Sequence, residues 1–288
     1  MNAPSVRTLR PGLHLLEAEV EDFDVRAAVL VGTERAVVWD TLAHPAQMEG
    51  VRRIVAAAGG VAGRSAAVGR SAEASLPLTV VYSHADWDHA WGTCALGDVE
   101  DVVAHAWSER RFRSDVPEEL RRRQAEEPGL WDAVRLVPPT VLFERTHTLD
   151  LGGATLELHA LPGHTPDCSV CFVPEWGVLL AGDTVETPLP VVNEARAVAE
   201  WAQALERWRD DARVATVVPA HGPVGGRELV EHTLRYLRGL AAGGDLADLS
   251  ALSPFYRETH RRNQELAGPG SGRSAGPRAG DAPANDGS

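Results

Sequence analysis

The stretch TVVYSHADWDHAWG, residues 79–92, joins a short apolar run to a dense cluster of imidazole and carboxylate side chains. The run predicts a buried β-strand over 78–83, because it is short and rich in β-branched residues. The polar cluster that follows it consists of His84, Asp86, Asp88 and His89. Side chains of these types at the end of a strand are typical of ligand sites in α/β proteins.

A second strand end of the same kind belongs to an internal repeat. The segments AAVLVGTERAVVWDT (27–41) and CSVCFVPEWGVLLAGDT (168–184) each contain two apolar runs around a turn and end in Asp-Thr. Each is followed by helical sequence and then by Thr-Val-Val-x-x-His, at 79–84 and 216–221. Two similar β-rich halves, packed sheet against sheet with helices outside, would explain this repeat. The repeat therefore predicts an α/β fold whose strand ends converge on one site.

Apolar runs alternate with helical segments along most of the chain. Strands are predicted at 27–31, 35–40, 78–83, 101–104, 140–143, 154–161, 168–173, 177–181 and 214–218. Helices are predicted at 45–58, 106–113, 194–210 and 226–242. This alternation predicts one domain over residues 1–242.

Four other segments differ from this pattern in composition. Residues 59–75 are rich in Gly, Ala and Ser and predict a surface loop. Residues 114–134 are charged and helix-prone, and they predict either a solvated helix or a lid over the site. A helical C-terminal appendage is predicted over 243–267. The Gly-, Pro-, Ala- and Ser-rich residues 268–288 predict a disordered tail.

The overall composition argues against several classes of partner. The net charge of −13 disfavours a nucleic-acid or anionic-membrane surface. The 28 strongly basic residues are all arginine. Three cysteines give no disulfide framework, and the N-terminal segment lacks the apolar run of a signal peptide. No stretch approaches 18 consecutive apolar residues, the length of a membrane span. We therefore expect a cytoplasmic protein whose partner is a small-molecule substrate.

Seven side chains at strand ends or glycine turns form the candidate metal site. Imidazole and carboxylate groups bind zinc, iron and manganese, and seven of them suit two ions better than one. Gly163, Gly182 and Gly222 would let the backbone turn tightly beside them. The predicted ligands are His84, Asp86, Asp88, His89, His164, Asp183 and His221.

With these residues the chain resembles the metallo-β-lactamase superfamily over about residues 7–242. The family's signature is His-x-His-x-Asp-His after a strand, followed at a distance by a His, an Asp and a final His. PGHTPD (162–167) and PAHGP (219–223) also resemble the family's usual contexts. The resemblance implies a four-layer αββα sandwich with the site at one edge of the sheets. It also implies one metal held by His84, residue 86 and His164, a second held by Asp88, His89 and His221, and Asp183 bridging them.

Asp86 departs from the family pattern, because most members carry a histidine at this position. A carboxylate there resembles the flavodiiron oxidoreductases, although nothing in this chain resembles their flavodoxin-like domain. Two divalent ions, a hydroxide and two carboxylates would leave about one positive charge, and a third carboxylate would make the site about neutral. That difference would weaken the ions as Lewis acids and favour iron or manganese over zinc.

The sequence predicts a dinuclear metal-dependent hydrolase in which a metal-bound hydroxide attacks a small ester, thioester or lactone. Asp88 and Asp183 are the predicted catalytic residues, since the first would orient the nucleophile and the second would bridge the ions. Zinc is the first choice of metal, with iron or manganese as alternatives because of Asp86. An iron-dependent oxidoreductase and a non-catalytic binding protein stay open, as do the substrate and the oligomeric state. Asp40 is predicted either to orient a histidine ligand or to cap a turn.

Overall fold

The computed structural model describes residues 2–65, 76–244 and 249–267, and the strands of these residues form two sheets. The strands are β1 (Ser5–Arg10), β2 (Leu13–Val20), β3 (Phe23–Val31), β4 (Ala36–Trp39), β5 (Leu78–Val81), β6 (Asp101–His105), β7 (Val141–Phe143), β8 (Thr146–Asp150), β9 (Thr155–Ala160), β10 (Ser169–Val173), β11 (Val178–Gly182) and β12 (Thr216–Pro219). The first sheet contains β1 to β7 in sequence order, and the second has the order β12-β11-β10-β9-β8.

Helices cover the outer face of each sheet. They are α1 (Glu49–Ser65), α2 (Trp87–Ala90), α3 (Ala106–Phe112), α4 (Asp115–Glu126), α5 (Ala197–Asp210), α6 (Glu228–Ala241) and α7 (Pro254–Ala267). Side chains of the first four share the apolar cluster of the first sheet's outer face, and side chains of the last three share that of the second. None of the described helices is both long and apolar enough to cross a membrane.

Strands buried on both faces produce three apolar layers. Ala28 and Leu30 of β3 pack between the two sheets. The alternate residues Ala27 and Val29 pack on the helical side of the same sheet. Because side chains of a strand alternate between its faces, burial of both faces requires the continuous apolar runs seen in the sequence. The predicted four-layer αββα sandwich is confirmed.

The internal repeat corresponds to the same order of elements in both sheets. Strands β3 and β4 pair antiparallel, and β5 returns beside β4 in parallel after α1. Strands β10 and β11, helix α5 and strand β12 repeat this order in the second sheet. Asp40 and Asp183 therefore follow corresponding strands, as do His84 and His221.

Some elements differ from the prediction. Strands β1, β2 and β8 have no counterpart among the predicted strands; β1 and β8 are edge strands with mostly exposed or half-buried residues, so they lack an apolar run. The loop predicted over 59–75 is wrong for its first part, because α1 continues to Ser65; glycine lowers helix propensity without preventing a helix. Residues 66–75 and the predicted tail 268–288 lie outside the described residues. Helix α7 falls within 243–267, and the domain limits stay predictions.

Candidate metal centre

All seven predicted ligands come together beyond the strand ends. They are His84 and Asp86 after β5, Asp88 and His89 in α2, His164 after β9, Asp183 after β11 and His221 after β12. All are buried except Asp86, whose side chain is 22% exposed. They form overlapping groups of three, and the ligand atoms of each group lie within 4.8 Å of one another.

His84, Asp86 and His164, which we call the first donor group, face one oxygen of Asp183. The Nε2 atoms of His84 and His164 lie 3.4 and 3.1 Å from Asp86 Oδ2. The same two nitrogens lie 3.7 and 3.6 Å from Asp183 Oδ2. Two imidazoles and two carboxylates thus converge on one point.

Asp88, His89 and His221, the second donor group, face the other oxygen of Asp183. The Nε2 atoms of His89 and His221 lie 3.2 and 3.3 Å from Asp183 Oδ1. Both nitrogens lie 3.6 Å from Asp88 Oδ2. The Asp183 carboxylate therefore directs one oxygen to each donor group.

Polar side chains behind the sheet edge orient two of the histidines. Asp40 Oδ2 lies 3.0 Å from His89 Nδ1 and accepts a hydrogen bond from the Ser83 hydroxyl at 2.8 Å. The same hydroxyl lies 3.0 Å from His84 Nδ1. A partner on Nδ1 fixes the ring and leaves Nε2 available as a ligand. Asp40 therefore orients a histidine, which is one of its two predicted roles.

Backbone carbonyls orient the other two histidines. His164 Nδ1 donates to the Val191 carbonyl at 2.9 Å, and His221 Nδ1 donates to the Asp24 carbonyl at 2.6 Å. Val191 lies in the segment between β11 and α5, whereas Asp24 belongs to β3 of the other sheet. The Nε2 atoms of all four histidines consequently point to the centres of the donor groups.

Three atoms of the cluster lack a hydrogen-bond partner among the described residues. His84 Nε2, His89 Nε2 and Asp183 Oδ1 are buried and unpaired. An unsatisfied buried polar atom costs about 1–3 kcal/mol, so each one in a folded protein needs an explanation. A metal ion at each donor group would satisfy all three atoms. The donor types fit zinc, iron or manganese.

Opposite charges within the cluster shift its protonation strongly. Burial lowers the pKa of His221, but the Asp183 carboxylate outweighs burial and raises that pKa to about 10. Burial also opposes protonation of His164, but the hydrogen bond that His164 donates to Asp86, together with the charge of Asp183, raises its pKa to about 9. Because metal ligands must be deprotonated, metal binding at these histidines would displace protons and would depend on pH.

Arg111, which is absent from the predicted set, pairs with the unusual Asp86. Its Nη2 lies 2.7 Å from Asp86 Oδ1, and its Nη1 lies 3.1 Å from Asp167 Oδ1. Burial raises the pKa of Asp86, but this guanidinium holds that pKa well below its usual range. The charge count that favours iron or manganese omits this cation, which returns about one positive charge to the site. No local sequence pattern marks Arg111, because it reaches the site from α3.

Helix α7 supports the site through one buried side chain. Asn263 Oδ1 accepts a hydrogen bond from the Val192 amide at 3.0 Å, and Asn263 Nδ2 donates to the Pro190 carbonyl at 2.8 Å. These bonds flank Val191, whose carbonyl orients His164. A single asparagine in a polar helix carries no signal of such a role, so the sequence analysis does not find it.

Two adjoining cavities open beside the donor groups. The smaller, of about 220 Å³, lies over them, and its walls include Phe23, Trp87 and Phe255 of α7. It also contains Glu186, whose pKa is raised to about 7 by burial. The larger, of about 910 Å³, shares Asp86 with the smaller one and is lined largely by α3 and α4. The charged segment predicted as a solvated helix or a lid thus contributes a wall of the larger cavity.

Comparison with known proteins agrees with this geometry. The family described as "Metallo-beta-lactamase superfamily" matches residues 21–221. A linear primary-alkylsulfatase from Pseudomonas sp. (strain ATCC 19151) is 30% identical over 117 residues, which cover 38% of this chain and 22% of that protein. A type 2 metallo-β-lactamase from Bacillus sp. (strain 170) is 28% identical over 164 residues, which cover 55% of this chain and 57% of that protein.

The chain thus spans less than two thirds of the length of either relative, and both relatives carry the names of hydrolytic enzymes. The solved structure of a metallo-β-lactamase from Pontibacter korlensis matches with a TM-score of 0.60 and 21% identity, covering 82% of this chain and 99% of that one. At this identity the likeness shows the fold alone. The family match extends over more than half of the chain and includes all seven clustered residues. The chain therefore belongs to the metallo-β-lactamase superfamily.

Proposed function

We propose that this protein is a dinuclear metal-dependent hydrolase that acts on a small ester, thioester or lactone. The observation that carries the proposal is the position of Asp183. Its Oδ2 lies 3.6–3.7 Å from the histidines of the first donor group, and its Oδ1 lies 3.2–3.3 Å from those of the second. A carboxylate that directs one oxygen to each of two ligand sets is suited to bridge two ions. Membership of a family with hydrolytic relatives supports the same conclusion.

Each donor group would hold one ion, and Asp183 would contact both. Two divalent ions, zinc in the first instance, would supply a water-derived nucleophile at neutral pH and would polarise the substrate carbonyl. The buried, unpaired nitrogens of His84 and His89 are the atoms that gain most from such ligation. This chemistry requires no serine or cysteine nucleophile.

The side chains around the donor groups would position the reactants. Asp88 is 6% exposed and lines the smaller cavity. Its carboxylate would orient an attacking water there by accepting a hydrogen bond from that water. Phe23, Trp87 and Phe255 line the same cavity, where their apolar rings would limit the access of bulk water. The larger cavity beside Asp86 would accommodate the part of the substrate that does not react. A small-molecule partner fits these dimensions.

An iron-dependent oxidoreductase is the weaker alternative. The reason to consider it is the extra carboxylate of Asp86, and Arg111 offsets that charge at 2.7 Å. Elemental analysis of protein purified without added metal distinguishes the two functions. We expect close to two zinc ions per chain, whereas two iron ions would favour the redox alternative and a stable value of zero would favour a binding protein without catalysis.

The hydrolase proposal is tested with a panel of substrates and protein of known metal content. The panel contains nitrophenyl acyl esters, acyl thioesters and lactones, with a β-lactam and an alkyl sulfate added because the relatives are named for these activities. We expect turnover of at least one acyl substrate, lost on chelation and restored by zinc. Protein with two bound ions that hydrolyses none of the acyl substrates would contradict the proposal.

A further inference from the structure

We propose that Arg111 is a positioning residue that makes Asp86 equivalent to the neutral histidine of the family motif and so preserves a preference for zinc. This inference rests on the proposed two-metal site. The first ion would meet the Asp86–Arg111 pair as its donor, and not Asp86 alone.

The two oxygens of Asp86 face different partners. Oδ1 forms an ion pair with Arg111 Nη2 at 2.7 Å, whereas Oδ2 faces the Nε2 atoms of His84 and His164 at 3.4 and 3.1 Å. A carboxylate with both oxygens free can chelate one ion through two atoms. Because Arg111 occupies Oδ1, Asp86 offers the first donor group one atom, as a histidine would.

Arg111 is itself held in place by a buried anchor. Its side chain is 16% exposed, and its Nη1 donates to Asp167 Oδ1 at 3.1 Å. Asp167 is fully buried and also accepts from the Ala85 amide at 2.9 Å and the Ser108 hydroxyl at 2.8 Å. The guanidinium cannot turn away from Asp86 without breaking this network. A planar fork that spans two carboxylates is a role that arginine fills better than lysine.

The third carboxylate near Arg111 competes little for its charge. Asp115 accepts hydrogen bonds from Arg111 Nε and Nη2 at 2.9 and 2.8 Å, but its side chain is 52% exposed, so solvent screens the charge of that pair. The charge of Asp167 is spread over several neutral donors in addition to Arg111. Among the carboxylates of the donor groups, Asp86 is therefore the one whose charge the Arg111 guanidinium offsets.

This arrangement bears on the choice of metal. Zinc accepts few ligands and binds imidazole well, whereas manganese prefers oxygen-rich octahedral sites. An Asp86 without Arg111 would add a full negative charge and a second oxygen, and both changes favour manganese. With Arg111 present, the first donor group keeps the charge and the donor number of a site with histidine at position 86.

The test compares zinc and manganese affinities of the first site by competition with a chelator. Arg111→Gln removes the charge and keeps an amide donor, and we expect the zinc-to-manganese affinity ratio to fall at least about tenfold, the low end of what partners of metal ligands control. Arg111→Lys keeps the charge but cannot span Asp86 and Asp167 as a planar fork, so the ratio should fall less than in Arg111→Gln. Arg113→Gln, on an exposed arginine of the same segment that pairs with Glu109, is the matched control and should change nothing.

A double-mutant cycle separates this role from simple support of the fold. In an Asp86→His background, Arg111→Gln should no longer lower the ratio, because no carboxylate is left to compensate. An unchanged ratio in Arg111→Gln with a lower melting temperature, or an equal fall of the ratio in both backgrounds, would overturn the proposal. If Arg111→Gln does not fold, a structure of the wild-type protein with zinc decides: Asp86 should bind through Oδ2 alone, and chelation through both oxygens would overturn it. Failure of the hydrolase proposal would appear separately, as two bound ions without turnover.

Discussion

The two halves of the molecule end corresponding strands with Asp-Thr, yet the two aspartates act differently. Asp183 presents its oxygens to both donor groups, and its Oδ1 has no hydrogen-bond partner among the described residues. Both oxygens of Asp40 are engaged by Ser83, at 2.7 Å from the amide and 2.8 Å from the hydroxyl. Asp40 contacts one ligand directly, His89 at 3.0 Å, and reaches His84 only through the Ser83 hydroxyl.

The threonines that follow show how this difference arises. Thr184 bonds back to its own strand end, since its hydroxyl and amide both donate to the Ala181 carbonyl, at 2.6 and 3.1 Å. The amide of Thr41 donates instead to the His89 carbonyl at 2.6 Å. In the first half the strand end is therefore hydrogen-bonded to α2. In the second half the strand end bonds back to its own strand, and Asp183 is left facing the cavity. A repeated sequence thus gives the same strand end twice, and the segment packed against each one decides its function.

The largest effect that separates the two aspartates is expected from Asp183→Asn. If Asp183 bridges the ions, both ions lose a charged ligand, and turnover should fall at least about a thousandfold, which corresponds to ~4 kcal/mol of transition-state stabilisation. Steady-state kinetics with elemental analysis checks this. Near-normal turnover with two ions still bound would show that Asp183 does not bridge.

Asp40→Asn should give a smaller loss that is greatest at the second donor group. The substitution weakens the hydrogen bond that orients His89, and such partners of metal ligands typically control about 10–100-fold in affinity or activity. We expect the second ion to bind about 10–100-fold more weakly while the first is retained. Sequential metal titration measures both sites, and an equal loss at the two sites would mean that Asp40 supports the whole fold.

Asn263→Ala tests whether α7 stabilises the segment of the second half that orients His164. The change leaves the Val192 amide and the Pro190 carbonyl without their partner, at about 1–3 kcal/mol for an unsatisfied buried group. We expect a melting temperature lower by roughly 2–10 °C and first-site affinity reduced by about tenfold, because the segment that carries the Val191 carbonyl is no longer held against His164. Arg261→Ala, in an exposed ion pair on the same helix, is the matched control. A lower melting temperature with unchanged affinity would restrict Asn263 to a structural role.

The smallest effect is expected from removal of residues 268–288. Their composition offers little to bury, so truncation after Ala267 should leave melting temperature and metal content unchanged. Thermal melting and elemental analysis of the shortened chain check this. A fall of several degrees would show that support for the second half extends beyond α7.

The sequence alone was sufficient for the layers of the fold and for the residues gathered at the site. Continuous apolar runs predict strands buried on both faces, and residues directly after such runs lie at strand ends. For this reason His84, Asp183 and their five partners could be named without coordinates. Most failures occur where the local pattern is weak: the edge strands β1 and β8 carry no apolar run, and the glycines of 59–65 do not prevent α1 from continuing. The interior strand β2 was missed although most of its residues are apolar.

What the tertiary structure decided is how each donor is held and charged. Arg111 reaches Asp86 from α3, and the carbonyls of Val191 and Asp24 reach His164 and His221 from distant segments. A backbone carbonyl is present in every residue, and an arginine on a helix resembles any solvated arginine, so neither leaves a signature in the sequence. Ligand identity follows from local order along the chain, whereas orientation and charge balance depend on contacts between segments that only folding brings together.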